Sequence, residues 1–328
     1  PCADHCINFH LKAYPINRDE NGNPLYVTDA SGYKHQVYDD EALFNQDQIK
    51  AKQVQREGTT ILWNNKNAFP LSESQKLSLF SQSSCNMVLS GSGSGWAMNK
   101  YTDSQPINDF KQALEQVGYS VNSTLWNFYK SGDGKSYRRS DTFKINEVPW
   151  NKYTSEVKNS FSEYGDAAII VLSRRAGEWY PSNTTPDATN NTGDSKLVGA
   201  DTVNGDYFDL SQEEIEMIDN VIDAKKNGTF KKVVVLINTA NSINYRYLNT
   251  KKNDIDSCIW IGQPGTEGIN EIANIIKGTS IPSGHLSDTF LMDCQSAPAA
   301  QNAIYQKYNN VSGQPWKSDT RNTELFQS

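Results

Sequence analysis

Two short and entirely apolar runs constrain the fold of this chain more than any other feature. Ala167–Leu172 has the sequence AAIIVL, Val233–Ile237 has the sequence VVVLI, and polar or turn residues bound both. Strands of a parallel sheet are covered by helices on both faces, so they are continuously apolar instead of alternating with polar residues. The two runs therefore predict central strands of a parallel sheet, with helices packed on both of its faces.

Strand and helix patterns alternate along much of residues 59–290. Further strands are predicted at 59–63, 77–80 and 255–261, with a weaker one at 86–89. Helices are predicted at 46–58, 107–117, 157–164, 215–226 and 269–276. Ser211-Gln-Glu-Glu214 is a capping box before the fourth of these helices, and Gly278 ends the fifth. This alternation predicts an α/β fold, a mostly parallel sheet sandwiched between helices.

The chain divides into three predicted parts. Residues 1–45 form an N-terminal extension, 46–292 the α/β sandwich domain, and 293–328 a C-terminal extension or linker. The stretch 17–40 is rich in Asp, Asn, Gly and Tyr and has no helical period, which predicts loops or a short hairpin.

Charge and composition exclude several classes of protein. The net charge is −7 and the basic residues are dispersed, so we expect no nucleic-acid partner. Five cysteines are too few and too scattered for a disulfide scaffold in a chain of 328 residues. No run approaches the roughly 18 apolar residues of a membrane span. The abundance of Asn, Ser, Thr, Gln and Tyr is typical of secreted or cell-surface proteins, and we expect that location.

A glycine-rich segment follows the early strands, and its five residues are Gly91, Ser92, Gly93, Ser94 and Gly95. A dinucleotide fingerprint needs Gly at the next position, which is Trp96, and the Gly-Lys-Ser/Thr ending of a phosphate loop is absent. We therefore expect no nucleotide cofactor. The segment is either a flexible surface loop or a loop whose bare backbone approaches a polar ligand.

Glu178 is the strongest candidate for chemistry. Its segment, Ser173-Arg-Arg-Ala-Gly-Glu-Trp-Tyr180, directly follows an apolar strand, where ligands of parallel sheets bind. Contact with the neighbouring Trp179 and Tyr180 would raise the pKa of the Glu178 carboxyl, as a general acid requires. The alternative is an exposed Glu in a loop.

Two cysteines and two histidines lie close together at the start of the chain. Cys2, His5, Cys6 and His10 could bind zinc, but their spacing fits no standard finger. A frayed terminus or a local Cys2–Cys6 bridge are the alternatives, and we expect no metal.

Four segments in this order resemble glycoside hydrolase family 3. Residues 58–71 (GTTILWNNKNAFPL) resemble G-x-V-L-L-K-N-x-x-x-x-L-P-L, and 167–180 (AAIIVLSRRAGEWY) resemble V-V-V-I-S-R-x-S-G-E-G-Y-D. Residues 232–244 (KVVVLINTANSIN) are similar to K-V-V-V-L-L-N-x-G-x-P. The most specific segment is 259–290, IWIGQPGTEGINEIANIIKGTSIPSGHLSDTF, with its P-G-x-E-G and P-S-G motifs. The glycine-rich segment resembles G-G-T-G-S-G of members in which the sandwich precedes the barrel.

The resemblance implies a retaining β-glycosidase, β-glucosidase-like, acting on a carbohydrate substrate. In the family the acid/base is a Glu on a sandwich-domain loop, which matches Glu178. The nucleophilic Asp lies on a (β/α)8 barrel, expected C-terminal to this chain. Gly91–Gly95, Arg174, Trp179 and Tyr180 would contact the sugar. We expect the chain without its barrel to be nearly inactive.

Three positions depart from the family pattern. Trp179 replaces a Gly, Pro181 replaces an Asp, and His285 replaces an Arg. These changes leave a second hypothesis open, a non-catalytic carbohydrate-binding or scaffold module of the same fold. A third, an unrelated flavodoxin-like binding protein, is disfavoured by the missing phosphate fingerprints.

Overall fold

A computed structural model of the chain describes residues 16–37, 39–72, 75–91, 108–138, 145–175, 201–204 and 207–296. The chain divides into two compact units, Pro1–Val54 and Gln55–Ser328. The predicted division into three parts, at 45/46 and 292/293, stays a prediction. In the first unit, β1 (Tyr26–Thr28) and β2 (Lys34–Gln36) pair as an antiparallel hairpin. The short hairpin was one of the two predicted alternatives for this stretch.

The second unit contains a six-stranded sheet. Its strands are β3 (Thr60–Asn64), β4 (Lys76–Phe80), β5 (Ser120–Val121), β6 (Ala167–Ser173), β7 (Val233–Asn238) and β8 (Ser257–Trp260). Their order across the sheet is β3-β8-β7-β6-β4-β5. All neighbouring pairs are parallel except the edge strand β3, which is antiparallel to β8. The predicted mostly parallel sheet is confirmed.

Seven α-helices lie in the described part of the chain. They are α1 (Asp40–Gly58), α2 (Phe110–Gln116), α3 (Ser123–Lys130), α4 (Ser155–Ser160), α5 (Gln212–Lys226), α6 (Arg246–Thr250) and α7 (Gly265–Lys277). None of these helices is long and apolar enough to cross a membrane. The predicted capping box of α5 is present, and α7 ends at Gly278 with φ of 84°.

One local prediction differs from the structure. Residues 86–89 are not a strand, because the backbone N–H and carbonyl of Val88 both bond to the Asn238 side chain instead of to a neighbouring strand. Sequence reasoning also missed the short elements β5, α3 and α6. Of these, α3 begins at a cap, since the Asn122 side chain accepts a hydrogen bond from Leu125 N–H.

The hydrophobic core consists of two layers, one on each face of the sheet. Alternate residues of β6 enter the two layers, as the pleat of a strand requires. The first layer receives Ala168, Ile170 and Leu172 and is covered mainly by α3, α4 and α5. The second receives Ala167, Ile169 and Val171 and is covered mainly by α2 and α7. Every residue of β6 and β7 is buried, which explains why both strands are continuously apolar up to their polar last residues, Ser173 and Asn238.

Candidate active site at the carboxyl edge of the sheet

The strand order reverses between β4 and β6. The chain goes from β4 to β5 on one side of the sheet and then returns across β4 to add β6, β7 and β8 on the other. Among the described residues, the next α-helix after β4 is α2, in the second layer, and the next after β6 is α5, in the first layer. Ligands of open α/β sheets bind at such a reversal, outside the carboxyl ends of the strands. The two segments with candidate site residues follow β4 and β6.

The segment after β4 begins with a strained turn. Ser81 has a φ of 81°, which costs a non-glycine residue about 1–3 kcal/mol and persists only where its surroundings hold it. Here the Ser81 N–H donates to the Tyr129 hydroxyl at 3.0 Å, and the Ser81 hydroxyl donates to Glu147. The segment continues to Gly91, which is partly exposed. Ser92–Gly95 lie outside the described residues, so their predicted sugar contacts stay a prediction.

Arg174 lies directly after β6, and its side chain is only 1% exposed. Its guanidinium has five N–H donors, and all five are used inside the protein. Nε donates to the Tyr207 carbonyl, Nη1 to the Ser173 carbonyl and to Glu214, and Nη2 to the Asp209 carbonyl and to Glu214. No N–H remains for a sugar hydroxyl. The predicted substrate contact of Arg174 is therefore replaced by a structural role that fixes the start of the Glu178 segment.

The partner of Arg174 is the capping-box residue of α5. The Glu214 carboxylate accepts from Arg174 Nη1 at 2.9 Å and from Nη2 at 2.8 Å, and it also accepts from Ser211 N–H at 2.9 Å. Burial opposes the charged guanidinium, but the Glu214 carboxylate more than offsets this effect and raises the pKa of Arg174. The ion pair therefore ties the end of β6 to the start of α5.

Glu178, Trp179 and Tyr180 lie outside the described residues. The described stretch 145–175 ends at Arg175, whose backbone N–H donates to the Tyr207 hydroxyl at 2.8 Å. The structure thus fixes the chain up to three positions before Glu178, at the reversal of strand order. The general acid/base role of Glu178 stays a prediction.

Sequence reasoning missed a buried carboxyl, Glu147, behind the segment after β4. Besides the Ser81 hydroxyl, the carboxyl accepts from the Gln82 N–H at 3.0 Å and from its own neighbour, the Val148 N–H, at 2.8 Å. Burial raises the pKa of Glu147 to about 7, although these hydrogen bonds oppose the shift. Burial also raises the pKa values of the adjacent Tyr129 and Tyr153 well above the ordinary value. This cluster holds the strained turn at the end of β4.

Glu147 gave no sequence signal, because its stretch is irregular and its partners lie about 65 positions earlier. A signal did exist for Asn238, the other residue that was missed. It directly follows the predicted strand Val233–Ile237, at the carboxyl end where a buried polar side chain has functional meaning.

Replacing Glu147 by Gln is expected to remove one pH dependence of the folding free energy. Between the ordinary pKa of 4.5 and the folded-state value of about 7, the folded protein binds more protons at Glu147 than the unfolded chain does. The contribution of Glu147 to stability therefore falls as the pH rises through this window. Urea unfolding should show the free energy of unfolding of Glu147→Gln rising, relative to wild type, between about pH 5 and about pH 7.5. The control is Glu163→Gln, which changes an exposed carboxylate. If the free energies of unfolding of Glu147→Gln and wild type differed by the same amount at both pH values, the raised pKa of Glu147 would be contradicted.

The described residues contain no group of three or more His, Cys, Asp or Glu side chains that could hold a metal ion. Cys2, His5, Cys6 and His10 lie outside the described residues.

Comparison with known protein families decides the relationship of this chain. Residues 59–327 match the model of the glycosyl hydrolase family 3 C-terminal domain. The chain belongs to glycosyl hydrolase family 3. The match includes the whole six-stranded sheet and both segments at the reversal of strand order.

Two bacterial relatives carry β-glucosidase names. Beta-glucosidase A of Butyrivibrio fibrisolvens is 26% identical over 264 residues, which cover 75% of this chain and 29% of that protein. Beta-glucosidase of Ruminococcus albus is 24% identical over 261 residues, which cover 77% of this chain and 24% of that protein. This family 3 chain therefore spans less than a third of the length of either relative.

A solved structure shows the same fold. Beta-glucosidase 3B of Thermotoga neapolitana, solved in complex with α-D-glucose, matches with a TM-score of 0.61 at 23% identity. The match covers 85% of this chain and 34% of that one. The α/β sandwich predicted from the sequence is thus a family 3 C-terminal-type domain.

Proposed function

We propose that this chain is the α/β sandwich domain of a retaining, β-glucosidase-like glycosidase that hydrolyses O-glycosidic bonds. Glu178 acts as the general acid, which protonates the glycosidic oxygen, and then as the base, which activates water. Gly91–Gly95, Trp179 and Tyr180 contact the sugar. A secreted or cell-surface location is part of the proposal and is supported by composition alone.

The observation that carries this proposal is the topology of the sheet. The segments that contain Gly91 and Glu178 follow β4 and β6, the two strands between which the strand order reverses. The Arg174–Glu214 ion pair supports it further, because a fully bonded, buried pair fixes the start of the Glu178 segment. Family membership and the two β-glucosidase relatives supply the reaction class.

A retaining glycosidase needs two carboxyl groups roughly 5–5.5 Å apart. We propose that the second is the nucleophilic Asp of a (β/α)8 barrel domain, C-terminal to this chain, which docks on the carboxyl edge of the sheet. The chain spans about a third of the solved family 3 enzyme, which leaves ample length for such a domain in a full enzyme.

The test is hydrolysis of an aryl β-glucoside by this chain combined with a family 3 barrel domain, encoded beside it or supplied as a separate polypeptide. The combination should hydrolyse the substrate, whereas each domain alone should be at least about 100-fold slower, since each holds one of the two carboxyl groups. Equal activity of the barrel with and without this chain would contradict the proposal.

The second candidate is a carbohydrate-binding module without catalytic function. It is favoured by Trp179 and Pro181, which replace residues of the family pattern beside Glu178, and by His285, which replaces one in the segment 259–290. Calorimetry separates the two candidates. Glucose binding by the combined domains without hydrolysis of any aryl glycoside would support the binding module.

A further inference from the structure

Asn238 is the last residue of β7, and its side chain is fully buried. A primary amide has two N–H donors and two principal acceptor sites, and here all four are used. Oδ1 accepts from Val88 N–H at 2.7 Å and from the Ser173 hydroxyl at 2.7 Å. Nδ2 donates to the carbonyls of Val88 at 2.9 Å and Gly262 at 2.7 Å.

These four bonds join the segments that follow three different strands. Val88 lies in the segment after β4, three positions before Gly91. Ser173 is the last residue of β6, five positions before Glu178. Gly262 follows β8. One buried side chain therefore connects both segments of the candidate site with each other and with the sheet.

The connection to Val88 is the more consequential, because no strand of the described residues pairs with the stretch 86–89. Val88 offers its N–H and its carbonyl to the same amide, as it would to a neighbouring strand. The adjacent Leu89 carbonyl accepts from Gly265 N–H at 2.7 Å. On the β6 side, the Arg174 N–H donates to the Asn238 carbonyl at 3.1 Å, so backbone and side chain of Asn238 act together.

We propose that Asn238 is a positioning residue that sets the distance between Val88, which leads toward Gly91, and Ser173, which leads toward Glu178, and thereby helps to align the bound sugar with the acid/base. This inference rests on the proposed function. The residue touches neither substrate nor reacting atoms, so it acts through Val88 and Ser173. Since a misplacement of about 1 Å can cost 100-fold in rate, such a residue contributes to catalysis as well as to stability.

Two variants separate the two connections. Asn238→Asp keeps the acceptor for Val88 N–H and Ser173 but replaces both N–H donors by an oxygen facing the Val88 and Gly262 carbonyls. Ser173→Ala removes only the bond toward the Glu178 segment. The control is Asn122→Asp, which changes an equally buried Asn that also follows a strand but bonds to Leu125, Ser78 and Ser160 instead.

The measurement is kcat and KM of the full enzyme on aryl β-glucosides with a range of leaving-group pKa values. Ser173→Ala should lose about 10-fold more in kcat/KM on the poorest leaving group than on the most activated one, because a displaced acid matters only where protonation is needed. Asn238→Asp should show this loss together with a raised KM. Asn122→Asp should lower thermal stability with the same leaving-group dependence as wild type.

A second readout needs no substrate. Hydrogen exchange of the peptides containing Val88 and Arg174 should accelerate in both places in Asn238→Leu, which removes all four side-chain hydrogen bonds, and in neither place in Asn122→Leu. The proposal is overturned if exchange at these peptides is unchanged, or if Asn238→Asp loses activity equally on every leaving group. An inactive wild-type enzyme would overturn the proposed function and not the role of Asn238. In that case the exchange data alone would decide whether Asn238 joins the two segments.

Discussion

Glu178→Gln is expected to reduce kcat/KM on glycosides with poor leaving groups by about 100- to 10,000-fold, the usual contribution of general acid–base catalysis. Glutamine keeps the size of the side chain but cannot donate the proton that a poor leaving group needs. An activated leaving group such as dinitrophenolate departs without protonation, so formation of the glycosyl-enzyme should be much less affected. Steady-state kinetics over a series of aryl β-glucosides with the barrel present measure this difference.

A companion variant separates the base role from the acid role. Glu178→Ala cannot activate water for the second step, but a small anion such as azide attacks the glycosyl-enzyme without a general base. Added azide should therefore accelerate turnover of Glu178→Ala on activated substrates and not that of wild type. Glu156→Gln, on the exposed surface of α4, is the control for a lost carboxylate. If Glu178→Gln showed the same leaving-group dependence as wild type, Glu178 would not be the general acid.

Glu214→Gln is expected to destabilise the domain by about 3–5 kcal/mol, because it leaves the buried Arg174 guanidinium without a counter-charge. Both side chains of this pair are at most 1% exposed, so water cannot replace the lost partner. In urea unfolding, the midpoint should fall while the slope stays near that of wild type. The loss arises from the unpaired charge and not from lost volume, since the two side chains have nearly the same shape.

The exposed pair Lys76–Glu163 provides the matched control. Its side chains are 46% and 65% exposed and lie 3.4 Å apart, so Glu163→Gln should cost less than about 1 kcal/mol. The double variant Arg174→Met, Glu214→Leu should recover only part of the stability, because it removes both buried charges but leaves the carbonyls of Tyr207, Ser173 and Asp209 and the Ser211 N–H without their partners. A loss in Glu214→Gln no larger than in Glu163→Gln would show that the buried pair is not important for folding.

The sheet was predictable from the sequence because its central strands are buried on both faces. A run such as Val233–Ile237 leaves few alternatives, and the capping box of α5 and the glycine after α7 mark their helices locally. Residues 86–89 were wrongly predicted as a strand, since an apolar pair such as Met87-Val88 carries no information about its partner. That partner is the side chain of Asn238, 150 positions later.

The candidate site was predictable only in part, because several of its contacts join residues that are far apart in the sequence. The position of a segment after a strand follows from the order of elements, and this rule selected the segments of Gly91 and Glu178. The environment of Arg174 depends on Glu214, 40 positions later, and that of Glu147 on Ser81, 66 positions earlier. Such pairings depend on tertiary packing. The sequence therefore predicts a substrate contact for Arg174, whereas the partner of its side chain, Glu214, lies inside the protein.

The segment after β4 touches both hydrophobic layers. Ser81 bonds to Tyr129, which lies in the layer under α3, α4 and α5, whereas Met87 and Leu89 pack against the layer under α2 and α7. A packing defect in either layer would therefore reach this one segment. Catalytic turnover at the proposed site would report the integrity of both layers at once, so an activity screen on this domain would also serve as a screen for complete folding.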